Sequence, residues 1–262
     1  MMKFLNKPLN VIISAGASGI GRSIAEAFLK EDCQVFICDI SDDFIENFHQ
    51  SYPDVLIERT DVSDYKQVTS FFKHLSTKID HIDVIINCAG IAGPTASLEK
   101  INPKDWKRTI DINLNGMFYI LKEGIPFLKK SKTPSIINIA SSASFFGFPL
   151  RSPYTAAKWA VIGLTKTLAM ELGGLDVRVN AICPGSVSGE RIDRVLEADA
   201  KVQGKTILEM KKLYTKQVSM KTFVESEDVA HLVLFLVSKY GRFISGQAIG
   251  LDGHTEGLST EL

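Results

Sequence analysis

The sequence predicts an α/β fold built as one domain, with a doubly wound parallel sheet of about seven strands and helices on both faces. Short apolar segments alternate with amphipathic segments from residue 10 to residue 251, which is the pattern of repeated βαβ units. A glycine-rich turn joins the first apolar segment to the first amphipathic one. No proline- or serine-rich linker interrupts the 262 residues, so a single domain over residues 1–262 accounts for the whole pattern.

Each predicted strand is a short run rich in apolar residues, bounded by turn-forming residues. The strands are expected at residues 11–14, 34–39, 56–61, 83–88, 135–140, 177–183 and 247–251. Each predicted helix has apolar residues at helical spacing. The helices are expected at residues 20–30, 42–50, 64–79, 103–130, 154–172 and 227–238. Pro153 suits the start of the helix over 154–172, because proline is favoured in a first helical turn.

The charge balance and the hydropathy pattern exclude several classes of protein. Lys and Arg number 30 and Asp and Glu also number 30, so no net positive charge favours a nucleic-acid partner. No apolar run is long enough to cross a bilayer, and residues 1–10 contain no signal-peptide core, so we expect no membrane partner and a cytoplasmic location.

The cysteines and histidines give no pattern of a metal site. The four cysteines, Cys33, Cys38, Cys88 and Cys183, lack metal-ligand spacing and mostly lie in strand-like runs. We interpret them as reduced thiols. The five histidines do not cluster, and no metal is predicted.

The glycine-rich turn over residues 14–21 is a candidate phosphate site. A glycine turn between a strand and a helix lets the backbone approach a phosphate, and the helix amino end presents unpaired N–H groups. Glycine turns also serve only as connections, so the position after the first strand and before an amphipathic helix carries the prediction. The candidate contacts are Ser14, Ser18, Gly19 and Ile20.

The end of the second strand predicts which dinucleotide binds. Asp39 can accept hydrogen bonds from the adenosine ribose hydroxyls and would repel the extra phosphate of NADP. Ile40 follows and supplies no cation for that phosphate. Arg22 is the nearest competitor, but its place in the first helical turn suits it poorly. NAD is therefore the predicted cofactor.

A tyrosine and a lysine one helical turn apart form the candidate reaction centre. Tyr154 and Lys158 lie on one helix face, so the ammonium stabilises the phenolate and lowers the phenol pKa from about 10. Ser141 ends a predicted buried strand and is placed to hydrogen-bond a substrate oxygen. A Tyr-x-x-x-Lys pair also occurs by chance in ordinary helices, with an aromatic side chain in the core and a solvated lysine. Ser141 favours the catalytic interpretation.

Together these motifs resemble the short-chain dehydrogenase/reductase family, whose Rossmann-type fold would cover about residues 11–253. The matching motifs, in the family's order, are the turn over 14–21, Thr60-Asp61-Val62, Asn87-Cys88-Ala89-Gly90, Asn113, Ser141, Tyr154 with Lys158, and Pro184-Gly185.

The resemblance implies a role for each matched position. The implied catalytic tetrad is Asn113, Ser141, Tyr154 and Lys158. Asn113 would hold a water that links Lys158 to solvent, and Lys158 would also bond the nicotinamide ribose. The implied cofactor contacts are Asp61 and Val62 at the adenine, then Asn87, Ala89, Gly90, Tyr154, Lys158, Pro184, Gly185 and Val187. The family commonly forms tetramers, so a homotetramer is expected.

Two positions depart from the family pattern. The turn begins Ser14-Ala15 where the family usually has Thr-Gly, so a methyl group stands where the backbone needs room or a glycine-only conformation. The family's carboxamide-holding threonine falls on Gly189. Ser186, Ser188 or the Val187 backbone must then make that contact, or it is lost.

The resemblance places substrate recognition in a lid segment over about residues 186–222 and in the loop between Ser141 and Tyr154. Many cations and carboxylates alternate in the lid, as in a solvated amphipathic helix. The sharper hypothesis is that Arg191, Arg194 or Arg151 pairs with a carboxylate or sulfonate of a small-molecule substrate.

Three interpretations of function remain at this point. The first is an NAD-dependent oxidoreductase that interconverts a secondary alcohol and a ketone, with Tyr154 as acid and base. The second is a reductase of 3-oxoacyl thioesters of an acyl carrier protein or coenzyme A. The third is a non-catalytic nucleotide sensor or scaffold, motivated by Ala15 and Gly189. The intact tetrad argues against the third.

Overall fold

The computed structural model describes residues 4–255 and residue 257, and it confirms the α/β fold with a parallel sheet. The strands are β1 Asn10–Ser14, β2 Gln34–Asp39, β3 Leu56–Arg59, β4 Val84–Asn87, β5 Ser135–Ile139, β6 Arg178–Pro184 and β7 Ala248–Leu251. The helices are α1 Gly19–Lys30, α2 Asp42–Ser51, α3 Tyr65–Leu75, α4 Pro103–Ile110, α5 Gly116–Leu128, α6 Ser152–Leu172, α7 Glu190–Gln203, α8 Ile207–Lys216 and α9 Ser226–Val237.

The seven strands are parallel and follow the order β3-β2-β1-β4-β5-β6-β7. The chain moves outward from β1 to β3 and then returns to begin the other half at β4. Ligands of such sheets bind in the crevice at the carboxyl ends of the strands where this reversal occurs. The last residues of β1, β2 and β4 are Ser14, Asp39 and Asn87, so the predicted cofactor residues meet at this edge.

Alternate side chains of the central strand pack on opposite faces of the sheet, as a doubly wound fold requires. Val11 and Ile13 belong to the core under α1 and α9, whereas Ile12 belongs to the core under α3, α5 and α6. All three side chains are fully buried. Burial of each contributes about 1.5–3 kcal/mol to folding.

The helix predicted over 103–130 is interrupted, which corrects that expectation. A π-helical turn, Asp111–Asn115, separates α4 from α5. The Asn113 side chain lies fully buried in this turn, and its amide group donates to the carbonyl oxygens of Thr109 and Ile91. A residue that satisfies neighbouring backbone groups in this way stabilises the extra residue of a π-turn.

The lid segment forms two helices. Gly204 ends α7 in the left-handed conformation with φ 64°, and α8 begins after a capping box between Thr206 and Glu209. The two helices share a small core of their own, formed by Leu196, Ala200 and Met210. The solvated amphipathic segment expected from the sequence is therefore a packed helical pair.

Among the described residues, no helix is both long and apolar enough to cross a bilayer. The same part of the chain contains no group of three or more His, Cys, Asp or Glu side chains arranged to hold a metal ion.

Candidate active site

The glycine-rich turn adopts two left-handed backbone conformations. Ala15 has φ 53° and Gly19 has φ 51°. The Ala15 N–H donates to the Cys38 carbonyl oxygen at 2.7 Å, which fixes the turn against β2. A left-handed conformation costs a residue with a side chain about 1–2 kcal/mol. Ala15 therefore adopts the conformation that its sequence position predicted to favour glycine, at a modest energetic cost.

The amino end of α1 leaves room for a phosphate. An added Cβ at Gly19 would meet no atom within 4 Å, and the Ser18 side chain makes no capping hydrogen bond. Ile20 follows in the first turn of the helix. Gly21 is required for a different reason, since an added Cβ would lie 2.0 Å from the Ala15 carbonyl oxygen. Free N–H groups and open space together fit a pyrophosphate at this point.

Asp39 is held at the edge of this turn. Its carboxylate accepts hydrogen bonds from the backbone N–H groups of Ala17 and Ser41, each at 3.1 Å, and the side chain is buried. Each carboxylate oxygen has two acceptor sites, so capacity remains for ribose hydroxyls. The neighbouring Ile40 is half-exposed. The site therefore combines a fixed negative charge with an apolar neighbour.

Arg22 is directed away from Asp39. It donates to Glu26, Asn47 and Ser51 along α1 and α2, and its guanidinium lies over the Phe48 ring. These partners hold the Arg22 guanidinium beside α2.

Hydrogen bonds tie the end of β4 to its neighbours. The Ser14 hydroxyl accepts from the N–H groups of Cys88 and Ala89, so β1 holds the segment that follows β4. The Asn87 amide donates to Asn138, whose own amide donates to Thr165 on α6. This buried chain of side chains fixes the β4 end relative to α6. The other amide atom of Asn87, Oδ1, is buried without a partner in the structure.

Asp61 and Val62 lie just after β3. The Asp61 carboxylate accepts from both the N–H and the hydroxyl of Ser63 and pairs with Arg108 at 3.3 Å. Burial opposes ionisation, but these bonds outweigh it and lower the pKa of Asp61. Val62 is buried against Gly116, where an added Cβ would lie 2.7 Å from the valine side chain.

The structure brings Ser141, Tyr154 and Lys158 together. Tyr154 lies in the first turn of α6, and the Lys158 ammonium lies 5.7 Å from the centroid of its ring. Lys158 is buried and donates to the Ile139 carbonyl oxygen at 2.8 Å. Burial opposes phenolate formation, but the positive charges of Lys158 and Arg191 and the Ser141 hydroxyl outweigh it, so the pKa of Tyr154 is lowered.

Lys158 is itself destabilised as a cation. Burial lowers the pKa of its ammonium, and the nearby Arg191 charge lowers it further, while the Tyr154 phenolate raises it. The two side chains therefore stabilise each other's charged forms.

Ser141 follows β5 and begins a short helical turn. Its hydroxyl oxygen accepts from the Ala143 N–H at 3.2 Å. That bond uses a lone pair and leaves the O–H available as a donor. Ser141 is therefore positioned to donate to an oxygen that also reaches Tyr154.

Gly90 separates Asn113 from Lys158. An added Cβ at Gly90 would lie 2.6 Å from the Asn113 Oδ1 atom, so a larger residue would displace the Asn113 side chain, whereas its distance of 3.7 Å from the Lys158 ammonium is an ordinary contact. The Asn113 carboxamide accepts from the Ile91 N–H at 3.1 Å in addition to its two donor bonds. This side chain therefore anchors the loop after β4. Both amide N–H groups are used, so the water predicted for Asn113 would bind an oxygen of this residue, either its backbone carbonyl or the second lone pair of Oδ1.

A cationic pocket lies between the loop after β4, α4 and α7. It encloses about 1080 Å³ of empty space, part of it open to solvent. Its lining residues are Gly90, Ile91, Ala92, Gly93, Pro94, Asp105, Arg108, Thr109, Arg151, Arg191, Arg194, Val195 and Ala198.

The four arginines of this pocket differ in their partners. Arg108 pairs with Asp61, Arg151 with Asp199, and the exposed Arg194 with Glu190 at 3.8 Å. Arg191 forms no ion pair within the described part of the chain. Its charge lowers the pKa of Tyr154 more than the charge of Arg151 does, and it also lowers the pKa of Lys158.

Arg151 is not a free anion receptor, which corrects the expectation that grouped it with Arg191. Its side chain is buried, and its guanidinium donates to the Asp199 carboxylate at 2.7 Å. A second, longer contact of 3.5 Å reaches the Gly93 carbonyl oxygen. The charge that a substrate would need is already neutralised. Spacing along the chain gave no signal for this partner on α7.

The segment after β6 pairs with residue Val224. Gly185 lies against Asp252, where an added Cβ would come within 2.9 Å of the aspartate Cβ. Val187 forms a parallel bridge with Val224, in which the Val224 N–H donates to the Ser186 carbonyl oxygen and the Ser188 N–H donates to the Val224 carbonyl oxygen. The N–H and carbonyl groups of Val187 itself are not used in these two hydrogen bonds. The Ser188 hydroxyl donates to Glu225. Of these two serines, Ser186 is the one that lines a pocket beneath the lid helices.

This second, apolar pocket lies between the loop after β5 and the lid helices. Its cavity volume is about 90 Å³. Its lining residues are Ser142, Phe146, Phe148, Pro149, Leu150, Gly185, Ser186, Asp199, Gln203, Met210, Leu213, Tyr214, Gln217, Val218 and Thr255. Sequence reasoning missed Asp199 and Tyr214, which lie in the lid without any motif to mark them.

Comparison with known proteins agrees with this arrangement. A family model described as Enoyl-(Acyl carrier protein) reductase matches residues 14–255. The 3-oxoacyl-(acyl-carrier-protein) reductase FabG of Thermotoga maritima is 31% identical over 247 residues, covering 92% of this chain and 95% of that protein. The trans-4-hydroxycyclohexanecarboxylate dehydrogenase of Sinomonas cyclohexanicum is 34% identical, covering 92% of this chain and 90% of the relative.

The fold is also shared with solved structures. Actinorhodin polyketide ketoreductase with NADPH superimposes with a TM-score of 0.89 at 25% sequence identity, covering 94% of this chain and 96% of the other.

Proposed function

This chain belongs to the short-chain dehydrogenase/reductase family of oxidoreductases, and from that premise we propose that it interconverts a secondary alcohol and a ketone with NAD, acting on a small molecule that carries a carboxylate or sulfonate. The observation that carries the proposal is the convergence of Ser141, Tyr154 and Lys158 with the unpaired cation Arg191 beside them.

The roles follow from the contacts of these side chains. The Ser141 O–H, which hydrogen-bonds Tyr154, would donate to the substrate oxygen instead, and the Ala143 N–H occupies only a lone pair of the hydroxyl. The Tyr154 phenolate accepts the proton of the alcohol during oxidation and returns it during reduction. Lys158 stabilises that phenolate while the Ile139 carbonyl oxygen holds its ammonium in place.

The residues at the carboxyl edge of the sheet fit a dinucleotide. Ser18, Gly19 and Ile20 would hold the pyrophosphate and Asp39 the adenosine ribose. Ser14, Asp61, Val62, Asn87, Ala89, Gly90, Pro184, Gly185 and Val187 would complete the cofactor contacts, with Tyr154 and Lys158 at the nicotinamide end. When bound, the nicotinamide exchanges a hydride with the carbinol carbon.

The preference for NAD over NADP rests on charge. The Asp39 carboxylate is fixed by two backbone N–H groups, and Arg22 is engaged with α2. A phosphate on the ribose would meet the Asp39 anion there, and Arg22 is already held by other partners. Because an NADPH-bound ketoreductase shares the fold, the local charge at Asp39 rather than the family decides the proposal.

The substrate anion is supported by Arg191. Its guanidinium lines the cationic pocket and forms no ion pair with the described residues, whereas Arg194 is exposed and paired. A guanidinium offers bidentate donors to a carboxylate or sulfonate. One relative is named for a substrate that carries both a ring hydroxyl and a carboxylate, and we propose the same combination of groups for this chain.

The proposal is tested by NADH formation at mildly alkaline pH with matched pairs of cyclic secondary alcohols, each with and without a carboxylate, using NAD and NADP in parallel. We expect turnover with NAD and a higher kcat/KM for the carboxylate of each pair. Equal kcat/KM within the pairs would contradict the anion proposal, and preference for NADP would contradict the role given to Asp39.

A second candidate is reduction of a 3-oxoacyl thioester. It is favoured by the acyl-carrier-protein reductase among the relatives. Asp39 disfavours it because such reductases more often use NADPH. Reduction of acetoacetyl-coenzyme A by NADPH, faster than oxidation of any alcohol by NAD, would favour this candidate.

We also propose a homotetramer assembled through α5 and α6. Three large apolar side chains on these helices, Phe118, Trp159 and Met170, are 48%, 51% and 85% exposed. Large apolar side chains that are exposed to this degree are typical of an interface. Light scattering of the Met170→Lys variant should show a smaller assembly than the unaltered protein, and an unchanged mass would contradict the proposed surface.

A further inference from the structure

The Asp199 carboxylate joins four separate segments of the chain. Its Oδ1 atom accepts from the Arg151 guanidinium at 2.7 Å and from the Thr95 hydroxyl at 3.1 Å. Its Oδ2 atom accepts a short hydrogen bond from the Tyr214 hydroxyl. The Asp199 side chain is 6% exposed and that of Arg151 is 4% exposed, so water does not compete for these bonds.

The three partners come from the parts of the molecule that enclose the reaction centre. Thr95 lies in the loop after β4, Arg151 immediately precedes α6, and Tyr214 lies on α8. A backbone bond of 3.0 Å from the Ala96 N–H to the Leu150 carbonyl oxygen joins the first two segments independently. The lid helices are therefore fastened to these loops through one carboxylate on α7.

This carboxylate also stands between the two pockets. Asp199 lines the apolar pocket, and its partner Arg151 lines the cationic one. The centroids of the Tyr214 and Phe148 rings, which both line the apolar pocket, lie 6.4 Å apart. Burial and the Asp199 charge raise the pKa of Tyr214, so the phenol stays protonated and remains a donor. A change in this cluster would alter the walls of both pockets together.

We propose that Asp199 is a positioning residue that holds the lid over the reaction centre and sets the start of the Tyr154 helix through Arg151. Tyr154 lies three residues after Arg151, so the ion pair orients the first turn of α6 on which the phenol is carried. The role in catalysis rests on the proposed function, whereas the role in holding the lid does not. Removal of the Asp199 charge should strongly destabilise the surrounding structure, because Arg151 is then left buried and unpaired.

The test compares Asp199→Asn with Glu197→Gln, an exposed acidic residue on the same helix. Hydrogen exchange is measured over the lid helices, the segment 142–151 and α1. We expect Asp199→Asn to accelerate exchange at least tenfold in the lid and in 142–151 but not in α1, and Glu197→Gln to change none of them.

For any alcohol that the enzyme oxidises, the factor by which kcat falls in Asp199→Asn should exceed the factor by which KM rises, because the start of α6 is displaced. Lid exchange equal to that of Glu197→Gln, or acceleration of every element alike, would overturn the proposal. Should Asp199→Asn fail to fold, Tyr214→Phe removes only the bond to α8, and unchanged exchange in α8 would then overturn it. If no alcohol is oxidised, the proposed function fails while the exchange comparison still decides the role in the lid.

Discussion

The Lys158 ammonium lies 5.7 Å from the centroid of the Tyr154 ring and donates to the Ile139 carbonyl oxygen at 2.8 Å. The carbonyl belongs to the last residue of β5, two positions before Ser141. The sheet therefore fixes the cation, the cation stabilises the phenolate, and the same strand delivers the hydroxyl that faces it. The pH dependence of the proposed reaction should therefore change when the Lys158 charge is removed.

Removal of the Lys158 charge should move the pH profile of alcohol oxidation to higher pH. In the proposed mechanism the phenolate is the base, so the rate should rise as pH increases through the Tyr154 pKa. Lys158 lowers that pKa, and loss of an adjacent opposite charge raises it by about 1–3 units. The measurement is kcat/KM for Lys158→Met between pH 6 and about pH 11.

Tyr154→Phe is the control for that experiment. It should lower kcat by about 10²–10⁴-fold at every pH, because no base remains to be titrated. A profile of Lys158→Met that coincides with that of the unaltered enzyme would contradict the assignment.

Arg191→Met should affect both the pH profile and the choice of substrate. Its positive charge also lowers the pKa of Tyr154, so its removal moves the profile to higher pH. Loss of a charge-assisted contact should lower kcat/KM for a carboxylate substrate at least about tenfold more than for its neutral counterpart, equivalent to about 1.4 kcal/mol. The measurement is kcat/KM for matched pairs of alcohols.

Arg194→Met serves as the matched control, since Arg194 is exposed and pairs with Glu190 on the same helix. It should change neither quantity beyond about twofold, because exposed ion pairs contribute little. Equal losses for the two variants would assign the effect to the general charge of the lid and not to Arg191.

Asp39→Asn should shift the enzyme toward NADP. The substitution removes the charge that repels a ribose phosphate, and the ratio of NADP to NAD activity should rise at least about tenfold. The amide keeps one acceptor, so one of the bonds to the N–H groups of Ala17 and Ser41 weakens and the melting temperature falls modestly.

Asp42→Asn makes the same charge change nearby, in the first turn of α2 and outside the strand end. It should leave the cofactor ratio unchanged. If the ratio of NADP to NAD activity rose equally in both variants, the long-range electrostatic potential, and not the Asp39 carboxylate, would select the cofactor.

Local pattern predicted most of the fold, because strands and helices are set by apolar periodicity and short-range turn chemistry. It also predicted that Ser141, Tyr154 and Lys158 converge, since a parallel sheet delivers strand ends to one edge. The strain expected at Ala15 agrees with its φ of 53°.

Long-range partners could not be predicted in the same way. Arg151 and Asp199 are 48 residues apart, and nothing in either neighbourhood marks the pairing. The π-turn at Asn113 was missed because its cause is a set of hydrogen bonds to the loop after β4, not a break in helical periodicity. Gly204, which ends α7 with φ 64°, was a local signal that could have divided the lid in two.

Among single Gly→Ala substitutions in the glycine-rich turn, Gly21→Ala should lower NAD affinity the most. An added Cβ at this position would lie 2.0 Å from the Ala15 carbonyl oxygen and 2.9 Å from the Gly16 Cα atom. Both neighbours are backbone atoms, so the turn itself must move away from α1. Overpacking of this kind costs about 1–3 kcal/mol or more. Urea denaturation and NAD calorimetry measure the two consequences.

The expected result is a lower denaturation midpoint together with an NAD affinity reduced at least about tenfold, because the amino end of α1 loses its position beside the turn. Gly174→Ala is the matched control, since an added Cβ there meets no atom within 4 Å and its φ is not positive. It should change the free energy of unfolding by less than about 1 kcal/mol and leave NAD binding intact. If Gly21→Ala bound NAD as tightly as Gly174→Ala, the close approach of Gly21 to Ala15 would be irrelevant to the cofactor, and the predicted pyrophosphate site would have to lie elsewhere on the sheet edge.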